Sequence, residues 1–474
     1  MKNVIKALLI AVFSSVLLLA GCNDYLDIND DPNNPTSAPA LGLLTSATFE
    51  TAQNTYRMGS TTSYYVQYLA SPNTSSALDT QEPLSFGNDW FNLYDVMTDL
   101  TDLEVLAEEE GATQLVGIAK ILKAYHLALL VDSWGDAPYS DAFFAETFNP
   151  EYDDQSDLYN TVSALLSDGI TQLQAQNSTI NAGNEDFIYG GDSAKWIQLG
   201  YMLQARYANH LSKQSSYNPA AVLSAVDNGF ASSDDDAQVE YYDSQINPWA
   251  SVAEANAGLI LGGWISEQTV EHLDGTTYGV EDPRLSILIS PNDDDEFVGV
   301  ENGAGRGNAP ESGAFSVLTT DNYYSTRTAP IVIASYAEQK FIEAEAALRS
   351  NPAQPARAYQ AYLDGISAHM DKVGVDPADR DAYLNDPAVA VGSGALSVND
   401  VMREKYVAMF LHPEAWVDAR RYDYSYQDMT IPANLNQDLN GQFIRRLVYP
   451  TSETERNGQN VPDVSLTDRL FWDQ

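Results

Sequence analysis

Cysteine is almost absent from this sequence, since Cys22 is the only one in 474 residues. A single thiol cannot form an internal disulfide, so the fold depends on no disulfide framework. Basic residues are also scarce, with 24 Lys and Arg against 67 Asp and Glu, and the formal net charge is −43. A surface this acidic repels phosphate backbones, which argues against nucleic acid as a partner.

The motifs of several common enzyme classes are missing. The five histidines are scattered, and neither H-E-x-x-H nor G-x-S-x-G occurs. The glycine-rich stretch at 299–307 has no P-loop lysine. Carboxylates are so numerous that their spacing singles out no glycosidase pair. We therefore predict a binding protein and not an enzyme, with a glycoside hydrolase as the alternative from another class.

The N-terminus has the three parts of an export signal. Two lysines form a basic start, and residues 7–20 are an uncharged run that is shorter than the roughly 20 residues needed to cross a membrane. The run ends in LAGC at 19–22, which matches the bacterial lipobox. We therefore predict that residues 1–21 are a cleaved signal peptide and that Cys22 carries a lipid anchor. An ordinary secretory signal is the alternative.

The rest of the chain has mainly helical patterns. Residues 22–40 are rich in Asp, Asn and Pro, which predicts a flexible tether before a folded domain at 41–474. Ser193 is the predicted N-cap of one helix, and Ser397 with Asp400 resembles a capping box before another. Strand-like runs are few and short, so we predict an all-α fold. Apolar residues recur at helical spacing in 114–131, 193–211, 333–349 and 398–409.

Residues 227–330 differ from the helical segments and predict a large loop-rich insertion, because Asp, Asn, Gly and Pro are frequent there. A sugar offers flat C–H patches and a rim of hydroxyls, so its site combines aromatic platforms with a few polar side chains. The loop-rich region contains both kinds of side chain. The alternative for each aromatic residue is that it fastens a loop to the helical body. The candidate glycan-binding residues are Trp249, Trp264, Tyr278, Tyr323, Tyr324, Arg284 and Asn322.

Charge also bears on the kind of ligand. The negative surface disfavours polyanionic glycans, although Arg284, Arg306 and Arg327 could form a local basic patch within a Debye length of about 8 Å. If the ligand is a glycan, this charge therefore favours a neutral oligosaccharide. The Asp runs at 234–236 and 293–295 could bind Ca²⁺ through their oxygens, but neither fits an EF-hand loop, and solvated acidic turns are the alternative. No other cofactor and no other metal is expected.

Six motifs follow one another along the chain. They are DYLDINDDPNNPT after the lipobox, WFNLYDVMTDL at 90–100, SWGDAPY at 133–139, PIVIASYAEQKFIEAEAAL at 330–348, EAWVDARR at 414–421 and RRLVYPTSETERNGQN at 445–460. In this order and spacing they resemble the SusD/RagB family of nutrient-binding outer-membrane lipoproteins. The resemblance covers nearly the whole chain.

The resemblance implies an all-α fold of tetratricopeptide-like helix pairs with long irregular loops on one side. It also implies a lipid-anchored protein on the cell surface, in the outer membrane of Bacteroidota. Such a protein captures oligosaccharide and acts as lid and partner of a TonB-dependent transporter; a peptide ligand is the alternative within the family. No ligand-binding residue is carried over by motif, since those residues lie in variable loops. Arg420 and Arg421 are expected to pair with carboxylates, and the expected scaffold residues are Trp90, Trp134, Trp416, Arg420 and Tyr449.

The predicted anchor can be tested directly. If Cys22 is acylated, the protein will fractionate with membranes, and Cys22→Ala will release it or block its processing, because a thiol is needed for the lipid. Mass spectrometry of the native N-terminus checks the modification, and an unmodified residue other than Cys22 at that end would contradict it. Protease shaving of whole cells tests whether the protein is exposed on the surface.

Overall fold

The computed structural model describes residues 39–144, 147–256, 262–307, 312–426 and 429–474. The predicted signal peptide, Cys22 and residues 22–38 of the predicted tether lie outside these ranges. The first helix starts at Ala40, within one residue of the predicted start of the folded domain.

The described chain is mostly helical, as the sequence predicts. Its α-helices are α1 (Ala40–Tyr65), α2 (Gly87–Glu110), α3 (Thr113–Trp134), α4 (Gln155–Gln174), α5 (Ser193–His210), α6 (Pro219–Val226), α7 (Pro248–Asn256), α8 (Glu267–Leu273), α9 (Leu285–Leu288), α10 (Tyr336–Arg349), α11 (Pro355–Val373), α12 (Pro377–Leu384), α13 (Val398–Ala408), α14 (Glu414–Arg421) and α15 (Thr451–Arg456). Short 3₁₀ helices lie at Leu211–Lys213, Ser233–Asp235, Ser312–Ala314, Tyr323–Ser325, Gln437–Leu439 and Phe471–Asp473. The strands are β1 (Leu69–Ala70), β2 (Ala237–Val239), β3 (Trp264–Ile265) and β4 (Ile331–Ala334).

Successive helices pack against each other from α1 to α6, and α10 packs on α11 and also contacts α6 and α13. Helices α3 and α4 are antiparallel, because Tyr159 of α4 hydrogen-bonds Asp132 near the end of α3, while Gly169 meets Gly117 near its start. This arrangement of antiparallel neighbours is the predicted scaffold of tetratricopeptide-like helix pairs.

Two glycines allow the close approach of α3 and α4. A Cβ atom added to Gly117 would lie 2.8 Å from the carbonyl oxygen of Gly169, and one added to Gly169 would lie 2.9 Å from that of Gly117. Real Cβ atoms do not come this close to a carbonyl, so any larger residue would push the two helices apart.

Helix α3 is the most apolar of the predicted helices and lies inside the fold. Of the predicted stripe, Leu115, Ile118, Leu122 and Tyr125 are buried and Leu129 is half-buried, and the opposite side is largely buried too. By length and composition α3 could cross a membrane, but 89% of its apolar window is covered by the rest of the protein. It is therefore a core helix.

The region at 227–330 contains more regular structure than a single insertion of loops. It includes α7, α8 and α9, and two of its strands pair with strands outside it: β3 is antiparallel to β1, and β2 is antiparallel to β4. Because β4 occupies Ile331–Ala334, the helix predicted from 333 begins instead at Tyr336. Ser335 caps it by accepting a hydrogen bond from the backbone N–H of Glu338 at 3.2 Å.

Of the two helix caps predicted from the sequence, one is confirmed and one is wrong. The capping box of Ser397 and Asp400 is confirmed at the start of α13. The N-cap of α5 is Asp192 and not Ser193, since the Asp192 carboxylate accepts hydrogen bonds from the backbone N–H groups of Ala194 and Lys195 at 2.9 and 3.3 Å. A negative carboxylate at the N-terminus of a helix also interacts favourably with the helix dipole.

The residues assigned to the scaffold are buried, which confirms that assignment. Trp90 meets the edge of Trp134 at 5.4 Å, and the Tyr449 hydroxyl donates to the Asp136 carbonyl at 2.8 Å. The prediction that Arg420 pairs with a carboxylate is wrong. Its guanidinium donates to the backbone carbonyls and lies 3.6 Å from the centre of a Trp416 ring. The accepting carbonyls belong to Asp132, Trp416 and Arg445.

Buried ion pairs join the helix pairs to one another. Arg206 of α5 binds Glu338 of α10 through two hydrogen bonds of 2.6 and 2.5 Å. Arg421 of α14 binds Glu345 of α10 and also Asp418, the latter at 2.6 Å, so its predicted carboxylate partners are confirmed. Two-pronged arginine–carboxylate contacts are strong and directional, and they fix the relative positions of the helices.

The buried carboxylate of Glu345 accepts hydrogen bonds from several side chains. Besides Arg421 and the Tyr422 hydroxyl, it accepts from Arg349 Nε at 3.1 Å and Asn209 Nδ2 at 2.7 Å. Burial by itself would raise the pKa of Glu345, but the two guanidinium charges and the hydroxyl lower it to about 2. The ionised form is therefore the one that the fold stabilises.

This ion cluster predicts a pH-dependent contribution to stability. Because the pKa of Glu345 is depressed in the folded state, its contribution is present above the ordinary value of 4.5 and is lost as the pH falls towards 2. We expect Glu345→Gln to lower the free energy of unfolding by about 3–5 kcal/mol at neutral pH, and by much less at about pH 3. Urea unfolding at both pH values measures this.

The control is Asp381→Asn, which removes an exposed partner of Arg380 and should change stability by less than about 0.5 kcal/mol. An equal loss for Glu345→Gln at both pH values would show that the charge of Glu345 is not what stabilises the fold.

Candidate functional site

A crevice with aromatic walls lies between α1, α7, α11 and the segment after α13. We call it the aromatic crevice, and its lining includes Tyr56, Trp249, Tyr324, His369, Lys372 and Phe410. Its interior is narrow, with a volume of about 30 Å³, which suffices for water. A sugar ring would therefore lie across the mouth of the crevice and not inside it.

Trp249 is held in one wall by the start of α7. The side chain of Asn247 accepts a hydrogen bond from the Trp249 backbone N–H at 2.7 Å and donates to the Ala329 carbonyl at 2.8 Å. The indole meets the ring of Tyr56 edge to face at 4.9 Å. Trp249 is 4% exposed, while Tyr56 is half-buried, so Tyr56 presents more of this aromatic pair to solvent.

Tyr324 forms the next part of the wall, and Tyr323 lies beside it. Both are half-buried, and their rings are perpendicular with centroids 5.0 Å apart. Burial, together with the charges of Asp236 and Glu240, raises the pKa of Tyr323 to about 12. The Tyr323 hydroxyl, protonated at neutral pH as in any tyrosine, can donate a hydrogen bond.

Polar groups border the crevice on the side of α11. Lys372 Nζ donates to Asp236 Oδ2 and to Gln238 Oε1, both at 2.7 Å, and the amide of Gln238 donates to Glu240 Oε1 at 2.7 Å. Aromatic faces beside amide, ammonium and carboxylate groups are the combination that a sugar requires. The Lys372 charge is balanced by Asp236, so the border does not favour an anionic ligand.

His369 lines the crevice and, with Arg284 behind it, holds Tyr324 in place. Arg284 is fully buried, binds Asp282 and Glu404 at 2.6 and 2.7 Å, and approaches His369 Nδ1 at 3.3 Å. The other ring nitrogen, Nε2, lies 3.0 Å from the Tyr324 hydroxyl. Burial, followed by the charge of Arg284, keeps the pKa of His369 well below its usual value, so the imidazole is neutral. Its Nδ1 then accepts from Arg284, and Nε2–H donates to Tyr324.

Three candidates from the sequence are corrected by their positions. Arg284 is not a ligand residue, because its guanidinium is enclosed by carboxylates. Trp264 has no exposed surface, since it lies in β3 and packs on Phe315 at 5.6 Å. Asn322 is 2% exposed, and its side-chain oxygen accepts from the Thr319 backbone N–H at 2.8 Å, which shapes the turn before Tyr323.

The remaining four candidates lie in two different places. Trp249 and Tyr324 line the aromatic crevice, and Tyr323 lies next to Tyr324. Tyr278 is half-buried elsewhere, with the Arg403 guanidinium 4.0 Å from its ring centre and His272 at 4.7 Å.

Two of the three arginines that could have formed a basic patch are paired with carboxylates. Arg284 is buried, and Arg327, which is exposed, pairs with Asp243 at 3.3 Å and with Glu254. Neither Arg284 nor Arg327 therefore supplies an unbalanced positive charge.

The Asp run at 234–236 is engaged within the protein. Asp235 accepts from the backbone N–H groups of Ala231 and Ser232, and Asp236 binds Lys372 and the backbone N–H of Tyr336. Over the described ranges, no group of three or more His, Cys, Asp or Glu side chains is placed to hold a metal ion.

Reasoning from sequence missed Tyr56, His369 and Lys372. Tyr56 could have been found, because Phe49, Gln53 and Tyr56 recur at a spacing of four and three on one face of a helix. Nothing in the sequence singles out His369 or Lys372, since their position depends on how α11 packs.

The fold and the motifs agree with the comparisons to known proteins. Residues 32–450 match the model of the SusD-like family described as "Starch-binding associating with outer membrane". The chain belongs to this family. No curated protein sequence matches it.

Solved structures of SusD-like proteins share the fold. A SusD/RagB family protein from Bacteroides thetaiotaomicron has 24% sequence identity and a TM-score of 0.74, with 92% of this chain and 99% of that chain covered. A chitin-binding SusD homologue from Flavobacterium johnsoniae has 19% identity and a TM-score of 0.76, with coverage of 91% and 98%. A SusD homologue from Bacteroides fragilis has 19% identity and a TM-score of 0.75, with coverage of 92% and 100%. At these identities the similarity establishes the fold.

Proposed function

We propose that this SusD-like protein binds a neutral oligosaccharide at the aromatic crevice and delivers it to a TonB-dependent transporter as a lipid-anchored protein of the outer membrane. The observation that carries the proposal is that Tyr56, Trp249 and Tyr324 come from separate parts of the chain and line one crevice. Tyr323 lies next to Tyr324, and Lys372 and Gln238 form the polar border.

The comparisons support the ligand class and the location. The description of the matched family names starch binding and association with the outer membrane. One structural relative is itself called chitin-binding, and chitin is a neutral glycan. The high negative charge of this chain agrees with a neutral ligand, because a polyanion would be repelled.

A panel of ligands tests the binding proposal. Neutral oligosaccharides, charged glycans and peptides are titrated in calorimetry, and we expect heat of binding with at least one neutral oligosaccharide. Tyr56→Ala should weaken that binding roughly 3- to 10-fold, the effect of losing an aromatic contact of about 0.5–1.5 kcal/mol. Tyr56→Phe keeps the ring and should bind almost as the wild type does.

The control is Phe91→Ala, which removes an aromatic side chain that is 64% exposed on α2. It should leave the affinity unchanged, and thermal melting shows whether each variant is folded. Binding of peptides but not of glycans would support the alternative within the family. Chromatography of the incubated glycans would reveal shorter products if the protein were a hydrolase.

The proposed transporter partner has its own test. Extraction of membranes in mild detergent should co-purify the protein with a barrel-sized TonB-dependent transporter, because a surface binding protein alone imports nothing. Another lipoprotein of the same membrane, extracted in parallel, is the control for nonspecific association. Recovery of the monomer alone would contradict the partnership.

A further inference from the structure

Beyond the crevice, aromatic side chains continue along α1. Phe49, Gln53 and Tyr56 are spaced four and three residues apart, so they lie on one face, and all three are half-buried. At a rise of 1.5 Å per residue, they cover about 10 Å of the helix. Tyr56 forms one end, where it meets Trp249 of the crevice wall at 4.9 Å.

At the other end, Phe49 is joined by two more rings. Phe187 meets it edge to face at 6.5 Å, and Tyr241 lies 6.3 Å from it. Between the two ends, Gln53 Nε2 donates to the Tyr241 hydroxyl at 2.7 Å, so a polar group interrupts the rings. We call the surface formed by Phe187, Phe49, Gln53 and Tyr56 the α1 strip.

Phe187 is exposed but held in place by a rigid turn. Its ring is 45% exposed, whereas the neighbouring Asp186 is 3% exposed. The Asp186 carboxylate accepts hydrogen bonds from the backbone N–H groups of Ile188, Tyr189 and Gly191, and from Trp196 Nε1 at 2.7 Å. These bonds hold the backbone that carries Phe187, so the turn presents an exposed apolar ring to a ligand without rearranging.

The charges beside the strip favour a neutral ligand. Glu50 and Arg57, on the adjacent side of α1, pair with each other at 2.8 Å. Glu240 and Tyr242 lie on the exposed segment that follows β2, and Tyr242 is 67% exposed. The strip therefore has aromatic faces, an amide and no unbalanced positive charge among the residues named here.

We propose that the glycan site extends from the aromatic crevice along the α1 strip to Phe187, and that the ligand is a neutral chain of several sugar units. This inference rests on the proposed function. Rings at both ends of the strip, with an amide between them, suit an extended chain whose units stack at separate positions. A monosaccharide or disaccharide would reach only one end.

The test is a series of neutral oligosaccharides, from disaccharide to hexasaccharide, of the type that binds in the panel. For the wild type, we expect the affinity to rise about tenfold or more over the series, as a second aromatic contact is gained. Phe187→Ala and Phe49→Ala should remove most of this gain, so that the ratio of hexasaccharide to disaccharide affinity approaches one. Phe91→Ala, the exposed aromatic control on α2, should keep the wild-type ratio.

Each possible negative result leads to a different conclusion. Wild-type affinity that does not depend on chain length would overturn the extended site but leave the crevice as the sugar site. An unchanged ratio in both Phe187→Ala and Phe49→Ala, with normal melting temperatures, would also overturn it. If these two variants instead lose the transporter in detergent co-purification, the strip is a protein contact. If no glycan binds at all, the result contradicts both the proposed function and the extended site.

Discussion

Buried contacts between arginines and carboxylates are the constraint on which the arrangement of the helices depends. Arg206 of α5 and Arg421 of α14 bind Glu338 and Glu345, which lie two turns apart on α10. A charge in the interior is strongly destabilising unless it is paired with good geometry, so a shift of one helix would leave a charge unpaired. Helix α10 is thereby fixed between an early helix and the C-terminal helices. The same two glutamates belong to the Y-A-E and A-E-A parts of the family motif, which explains why a motif of buried residues contains charges.

The same kind of contact positions the proposed binding site. Arg284, bound to Glu404 of α13, holds His369 of α11, and His369 in turn holds the Tyr324 hydroxyl. Tyr324 therefore keeps its orientation without a ligand, and binding need not include the entropic cost of ordering that ring. Because Lys372, on the same helix as His369, lies at the border of the crevice, the packing of α11 sets both the aromatic wall and its polar edge. The site is in this sense a consequence of how the scaffold is held together.

The sequence predicted the helical scaffold well and the site only in part. Apolar spacing located α3, α5 and α13, because local periodicity determines a helix that has one buried face. It placed the start of α10 too early, since Ile333 fits a helical stripe equally well but belongs to β4, which pairs with β2. Trp249 and Trp264 both follow turn-forming residues, and composition could not distinguish them. One reaches the crevice while the other is enclosed next to β1, a difference that arises only from strand pairing between distant segments.

Surface charge and aromatic rings act over different distances in the proposed site. The excess of carboxylates creates a field that extends about one Debye length, roughly 8 Å at physiological salt, and it keeps like-charged molecules away before any contact is made. The rings of Tyr56 and Phe187 act only in contact. A polyanionic glycan would be repelled before it reached them, and the paired charges of Lys372 and Asp236 offer it no local compensation. A neutral chain is not affected by this field, so its affinity depends on how many rings it reaches. The charge of the whole surface then selects against anionic ligands, whereas the spacing of the side chains along α1 selects for the length of the glycan.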